Sequence, residues 1–228
     1  MNFYHVTTDC GKRKRFACGC FSELFGEPKL TLCNDCGVEY NRTDYKQMFF
    51  DKAWHIGMYM DRDHYADFAY SQFLPIVSER AKFILAVNCN NAVDFGDIKM
   101  VSFRDLTKEK LKQIRDWSGY AAAKKIPDDP PPYYRLFLKQ GADLDFQKSN
   151  IRLAIDCTTC GLKSYDIPYS HYGPDGSKEI YIIESTWKGY DIFYVEGKGY
   201  TIFCTEQFIE IYEKNNLTGL EFAQIQAV

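Results

Sequence analysis

Two short stretches of the sequence decide the fold: Cys33-Asn34-Asp35-Cys36-Gly37 and Cys157-Thr158-Thr159-Cys160-Gly161. Each stretch reads C-x-x-C-G. Two thiolates at this spacing lie on one tight turn and can bind a single metal ion. The glycine after the second cysteine permits a positive φ, which lets backbone amides point at the sulfurs. The sequence therefore predicts a metal-binding turn in each stretch.

The two turns together supply the ligand set of a tetrahedral structural Zn²⁺ site. The predicted ligands are Cys33, Cys36, Cys157 and Cys160. The gap between the pairs is far longer than in a zinc ribbon, so a shared ion would join distant parts of the chain. An alternative is a local site in which Cys18 and Cys20 join the first pair, leaving the second pair to another site. That alternative does not explain the second C-x-x-C-G.

Composition limits the class of protein. The chain has 228 residues, 46% of them hydrophobic, which is ample for a packed core. A net charge of −3 and a pI near 5.8 count against a nucleic-acid-binding protein, which is usually basic. We expect no signal peptide and no transmembrane segment, and therefore a cytoplasmic protein with no membrane partner. Nine cysteines in a reducing compartment indicate metal ligands and buried thiols, and disulfides are not expected.

A weak internal repeat predicts the architecture. Ser78 and Thr205 each precede a helical pattern, and they are 127 residues apart. The two C-x-x-C-G motifs are 124 residues apart, so a three-residue insertion near 196–199 would account for the difference. We therefore predict an α+β fold of two pseudo-repeated halves. Each half would contain antiparallel strands and a capped helix, and the zinc site would hold the halves together.

The segments follow from this repeat. The first half with the first zinc turn is predicted at 1–105, a connecting segment at 106–150, and the second half with the second turn at 151–228, all within one compact unit. The connecting segment contains a helix capped by Thr107, a proline-rich turn at 127–132 and a strand from Tyr133 to Leu138. Runs at 180–184, 191–195 and 200–204 are predicted to form a three-stranded meander.

Catalytic patterns are scarce in the sequence. It contains no H-E-x-x-H, P-loop, G-x-G-x-x-G or G-x-S-x-G motif, and a four-thiolate zinc has no position for a catalytic water. The expectation is that the protein is not an enzyme. A less favoured alternative is a metal-dependent enzyme that uses His64 with Asp61 and Asp63. A second alternative is a zinc-ribbon module that binds nucleic acid.

Carboxylates beside aromatic residues in polar segments suggest a surface that binds a protein partner. The candidate residues are Asp61, Asp63, Asp128, Asp129, Tyr133 and Tyr134. Ordinary solvated loops would give the same pattern, so this surface is an expectation for the structure to test.

The opening Phe3-Tyr4, the paired C-x-x-C-G motifs and the closing pattern from Thr205-Glu206 to Leu217-Thr218-Gly219-Leu220-Glu221-Phe222 resemble the double-CxxCG motif family described from myxobacteria. The resemblance covers most of the chain. Members of that family are associated with immunity to polymorphic toxins exchanged between neighbouring cells. The resemblance implies an immunity protein that binds and neutralises one cognate toxin domain. This chain departs from the family pattern in Cys10, Cys18 and Cys20, and in its tyrosine- and lysine-rich composition.

Overall fold

The computed structural model describes residues 1–8, 16–17, 19–25, 30–41, 55–60, 64–71, 74–118, 129–168, 179–197 and 201–228. Within these ranges the chain forms 17 strands and three α-helices. This mixture of strands and helices is consistent with the predicted α+β class. No helix in these ranges is long and apolar enough to cross a membrane.

The bounds of the elements are as follows. The earlier strands are β1 (Phe3–Thr8), β2 (Gly19–Phe25), β3 (Leu30–Leu32), β4 (Glu39–Asn41), β5 (His55–Met60), β6 (Phe68–Ser71), β7 (Leu74–Ser78), β8 (Val93–Val101) and β9 (Tyr133–Leu138). The later strands are β10 (Gln140–Leu144), β11 (Arg152–Asp156), β12 (Lys163–Asp166), β13 (Tyr181–Ile183), β14 (Ile192–Val195), β15 (Ile202–Thr205), β16 (Leu220–Gln224) and β17 (Gln226–Ala227). The helices are α1 (Glu79–Asn88), α2 (Lys108–Ser118) and α3 (Glu206–Lys214).

Six strands close into a barrel in the order β2-β5-β8-β9-β7-β6. Its interior is built from alternate side chains, among them Met58, Ile76 and Tyr133, which are buried against one another. The pairs β2–β6 and β5–β8 are parallel, which corrects the expectation of antiparallel strands alone.

A seven-stranded sheet in the order β16-β1-β15-β14-β10-β13-β17 forms the second layer. Phe3, Phe193 and Phe203 are buried on one face of this sheet. The ring of Phe193 meets that of Phe3 edge to face and stacks on that of Phe203. The predicted meander is wrong in its order. β14 and β15 form a hairpin, but β10 lies between β14 and β13, because β10 pairs with each of them.

Each layer takes a strand from a distant part of the chain. β1 lies between β15 and β16 in the sheet, whereas β9 lies between β7 and β8 in the barrel. The residue pairs at the ends of these strands are Phe3–Thr205 and Thr8–Leu220 in the sheet, and Tyr133–Ser78 and Leu138–Val93 in the barrel. Each layer therefore contains one strand whose pairing partners are distant from it in sequence.

Helices α1 and α3 pack at the junction of the two layers. Ala81 and Leu85 of α1 and Phe208 of α3 are fully buried in one core that also includes strands from both layers. The cap predicted at Ser78 is confirmed, because its hydroxyl accepts a hydrogen bond from the Ala81 amide at 3.2 Å. Thr205 is the N-cap residue of α3, but its hydroxyl donates to Asp191 at 2.8 Å and makes no hydrogen bond to the helix amides.

Asp67 links the barrel to the chain segment after α3. Its buried carboxylate accepts hydrogen bonds from the Ser78 hydroxyl and from the amide and hydroxyl of Thr218, at 2.8 to 3.0 Å. Arg80 adds an ion pair at 3.7 Å and donates to the carbonyls of Asn215 and Asn216. A buried carboxylate with three donors is well satisfied, so this contact fixes α3 against the barrel.

Candidate metal centre

Each C-x-x-C-G motif forms the tip of a two-stranded hairpin. The first tip joins β3 to β4 and the second joins β11 to β12. At the first tip the Cys33 amide donates to the Val38 carbonyl at 2.9 Å, and the Gly37 amide donates to the Cys33 carbonyl at 2.8 Å. At the second tip Cys157, Leu162 and Gly161 make the same two bonds, each at 2.8 Å.

The glycine of each motif has the positive φ that the sequence predicts. The angle is +70° at Gly37 and +73° at Gly161. Such a conformation is strained for residues with a side chain, and it allows the turn to close so tightly that both sulfurs point to the same side. The local geometry is therefore a direct result of the motif.

The two hairpin tips meet, and all four predicted sulfurs come together. The Sγ atoms of Cys33 and Cys157 are 3.6 Å apart, and so are those of Cys36 and Cys160. All four sulfurs lie within 4.8 Å of one another. The four cysteines are free thiols, and the sulfur separations are far beyond the length of a disulfide bond, about 2.05 Å.

These separations fit a tetrahedral metal ion. Four sulfurs at about 2.3 Å from a central Zn²⁺ are about 3.8 Å from one another, by the geometry of a regular tetrahedron. The shortest observed separations, 3.6 Å, and the upper limit of 4.8 Å lie on either side of that value. Small rotations of the side chains would make the distances equal, and no backbone rearrangement is required.

A polar contact outside the sulfur cluster aligns the two tips. The hydroxyl of Thr159 donates a hydrogen bond to the carboxylate of Asp35. Both residues occupy the same position within their C-x-x-C-G motif, 124 residues apart. We did not single out this pair from the sequence, although the shared position in the two motifs was a signal that could have identified it.

The sulfurs are held in an apolar environment. Cys33, Cys157 and Cys160 are buried with Leu162, and Val38 and Ile155 pack against this group. Burial of this kind excludes water and strengthens the attraction between thiolates and a cation. Because the hairpins share so small an apolar core, the sulfur cluster is the main contact that can hold the two tips together.

The pKa values of the clustered thiols are shifted in opposite directions: one is lowered and two are raised. The backbone amide of Cys36, with that of Asp35, stabilises the Cys33 thiolate and lowers its pKa to about 7. Burial and the adjacent sulfurs raise the pKa of Cys160 to about 12. At Cys36 the Val38 amide favours the thiolate, but burial and the sulfurs of Cys33 and Cys157 outweigh it and raise the pKa. A divalent cation is the natural counter-charge for such a group.

The chemistry open to this cluster is structural. Four thiolates complete a tetrahedron and leave no position for water or substrate. Soft sulfur ligands favour Zn²⁺ over hard cations such as Mg²⁺ or Ca²⁺, which prefer oxygen. No other group of three or more potential metal ligands is found in the part of the chain that the structure describes.

The remaining cysteines lie either outside the described residues or in the core away from the cluster. Cys18 and the side chain of Cys20 lie outside the described residues, so the local zinc site is not tested directly. Cys89 and Cys204 are buried free thiols away from the cluster. Burial raises the pKa of Cys89 to about 12 and also raises that of Cys204, so both are apolar core residues at neutral pH.

Of the residues predicted for partner binding, the structure describes Asp129, Tyr133 and Tyr134. Tyr133 is 1% exposed and its hydroxyl donates to the Ala66 carbonyl inside the barrel, which corrects the exposed position expected from its proline-rich context. Tyr134 is half-buried, with the ammonium of Lys82 3.5 Å from its ring centre. Asp129 is exposed. Asp61, Asp63 and Asp128 lie outside the described residues.

The alternative enzymatic cluster is only partly described. His64 is exposed and its ring stacks on Phe16 with centroids 6.0 Å apart. The two carboxylates that would act with it, Asp61 and Asp63, are not among the described residues.

Comparison with known proteins gives no assignment. No protein-family model matches the chain, and no curated protein is significantly similar to it.

Proposed function

We propose that the four-cysteine cluster is a closed, structural Zn²⁺ site in a cytoplasmic protein. Its support is the ligand set, the sulfur separations of 3.6 to 4.8 Å and the apolar surroundings. When bound, the ion would join two hairpins that are 124 residues apart in sequence. It would hold a scaffold rigid and would take no part in a reaction.

The chain is further proposed to be an internal repeat in which β1 pairs with strands of the second half and β9, from the connecting segment, pairs with strands of the first half. The support is the pairing register. A shift of 127 residues carries Ser78 to Thr205 and Val93 to Leu220, and a shift of 130 carries Phe3 to Tyr133. Under these shifts the β1 pairings with β15 and β16 coincide with the β9 pairings with β7 and β8. Asn88 and Asn215, also 127 apart, each donate to the carbonyl four residues earlier at 2.8 Å.

On this scaffold the proposed function is immunity to a toxin. The protein would bind one cognate toxin domain and cover its active site in a one-to-one complex, without turnover. The observation that carries the proposal is the closed four-thiolate cluster at the meeting point of two C-x-x-C-G hairpins. It is the feature on which the resemblance to the double-CxxCG family rests, and it leaves no coordination site for catalysis.

Co-expression tests this function. The immunity function predicts a toxin gene beside this one. Its product is expressed in a susceptible host with the wild-type chain, with a Cys33→Ser/Cys157→Ser variant, or with an empty vector. We expect survival with the wild type and growth arrest with the empty vector. The purified proteins should form a complex of one-to-one stoichiometry by light scattering.

A non-cognate toxin of the same activity serves as the specificity control. Growth arrest despite full expression of the wild-type chain would refute the immunity function. Turnover of a toxin product, or protection at amounts far below one chain per toxin, would refute stoichiometric occlusion.

A further inference from the structure

Helix α1 carries an exposed apolar ridge that the fold does not require. Phe83 and Val87 are 71% and 64% exposed, and their spacing of four residues places them side by side on one face. Ala86, on the same side, is exposed as well. The apolar side chains of a surface helix normally face the core, so this face has the composition of a buried surface in an exposed position.

Helix α3 provides an internal comparison for this ridge. The positions 127 residues after Phe83 and Val87 are Glu210 and Lys214, and both are exposed. The two helices therefore have the same pattern of exposure at these positions but opposite polarity. Since α3 forms with charged residues there, the exposed apolar residues of α1 are not needed to build the helix or its core.

A polar cleft adjoins the ridge. It has a volume of about 430 Å³, and Asn88, the residue after Val87, contributes to its lining. Asp191, Glu210 and Lys214 also line the cleft, which gives it two carboxylates against one ammonium group. A small-molecule pocket of this size is mostly apolar, whereas this lining is polar and suits the cationic side chain of a protein partner.

We propose that this ridge and the adjoining cleft form the surface that binds the toxin, and that its occupant is a basic face of the toxin domain bearing one apolar side chain. The apolar side chain would lie on Phe83 and Val87, and a neighbouring lysine or arginine would enter the cleft beside Glu210 and Asp191. A compact apolar centre with a charged rim is the usual arrangement of a hetero-protein interface.

A second copy of the chain is a poorer occupant. Homodimer interfaces are more apolar than this surface, whose cleft is lined mainly by polar and charged groups.

The inference rests on the proposed immunity function, and calorimetric titration separates the two. The probe is the purified toxin domain that the immunity function predicts to be encoded beside this gene, titrated into the full chain. We expect a Phe83→Ser/Val87→Ser variant to bind at least tenfold more weakly than the wild type. Glu210→Lys should bind several-fold more weakly, with less dependence on salt because an attractive charge pair is lost.

The matched control is Leu153→Ser, which replaces another exposed apolar residue, 48% exposed on β11 beside the metal centre. It should bind like the wild type. Zinc content and the circular dichroism spectrum of every variant should be unchanged, since all the replaced side chains are exposed. Equal binding by the Phe83→Ser/Val87→Ser variant, or weak binding by Leu153→Ser alone, would overturn the surface while leaving the immunity function intact.

Two further outcomes are decisive. If the wild-type chain does not bind the toxin at all, both the immunity function and this surface are refuted. If the wild-type chain is a dimer that the Phe83→Ser/Val87→Ser variant converts to a monomer, the ridge is a self-association surface and the proposal is wrong.

Discussion

Replacing a single cysteine of the second C-x-x-C-G motif should release the metal from both motifs. In a Cys157→Ser variant one thiolate of four is lost, and the remaining three no longer complete a tetrahedron. Each hairpin has only two strands, an arrangement that is marginally stable alone. The cluster core contains, besides the cysteines, one buried residue, Leu162. The metal is therefore expected to provide most of the free energy that holds the tips together.

The size of the effect follows from mass action. At a free zinc concentration about 1,000 times the dissociation constant, metal binding stabilises the folded state by about 4 kcal/mol. In a chain of 228 residues a change of 1 kcal/mol moves the melting temperature by about 2 to 4 °C. Loss of the ion from Cys157→Ser should therefore lower the melting temperature by roughly 8 to 16 °C.

The assay combines elemental analysis with thermal unfolding. The wild type should contain one zinc per chain, and both Cys33→Ser and Cys157→Ser should contain almost none. Cys204→Ala is the matched control, because Cys204 is buried but lies outside the cluster. It should lower stability by about 1 kcal/mol, the usual cost of a core substitution, and keep its full zinc content.

One result would refute the reasoning. If Cys157→Ser retains a full equivalent of zinc while Cys33→Ser loses it, the ion is held by the first motif together with Cys18 and Cys20. The contact between the hairpin tips would then not depend on the metal.

Three further outcomes are expected. Zinc affinity, measured by competition with a chelator, should rise between pH 6 and pH 8, because protons compete for thiols whose pKa is raised, such as Cys160 at about 12. Asp67→Ala should reduce the free energy of unfolding in urea by about 2 to 3 kcal/mol, since three buried hydrogen bonds lose their acceptor. Gly161→Ala should cost about 1 kcal/mol because its φ is positive but its surroundings are open. Gly219→Ala should cost clearly more, because an added Cβ would overlap the Phe68 carbonyl oxygen. Equal melting temperatures for the two glycine variants would contradict this steric reasoning.

The four-cysteine cluster could be predicted from the sequence because its geometry is local. Cysteine spacing determines which sulfurs share a turn, and Gly37 and Gly161 supply the backbone conformation that the turn needs. The Ser78 cap and the strand at Tyr133–Leu138 could be predicted for the same reason, since each depends on a short run of residues.

The order of strands could not be predicted in this way. Alternation of apolar residues identifies a strand but does not name its neighbour, so nothing in the sequence of β10 shows that it lies between β13 and β14. The proline-rich and acidic neighbours of Tyr133 in the sequence predict a position at the surface. The decisive factor is its register opposite Ser78, a contact between distant residues that turns its ring into the barrel.

The position of β1 between β15 and β16 also has a consequence for synthesis on the ribosome. Phe3 pairs with Thr205 and Val6 with Phe222, so β1 leaves the ribosome long before the strands that it pairs with. At translation speeds of about 5 to 20 residues per second, that delay is roughly 10 to 40 s. During it, Phe3 and Val6 lack the native strands that bury them, so the burial of β1 has to wait until β15 and β16 have been synthesised.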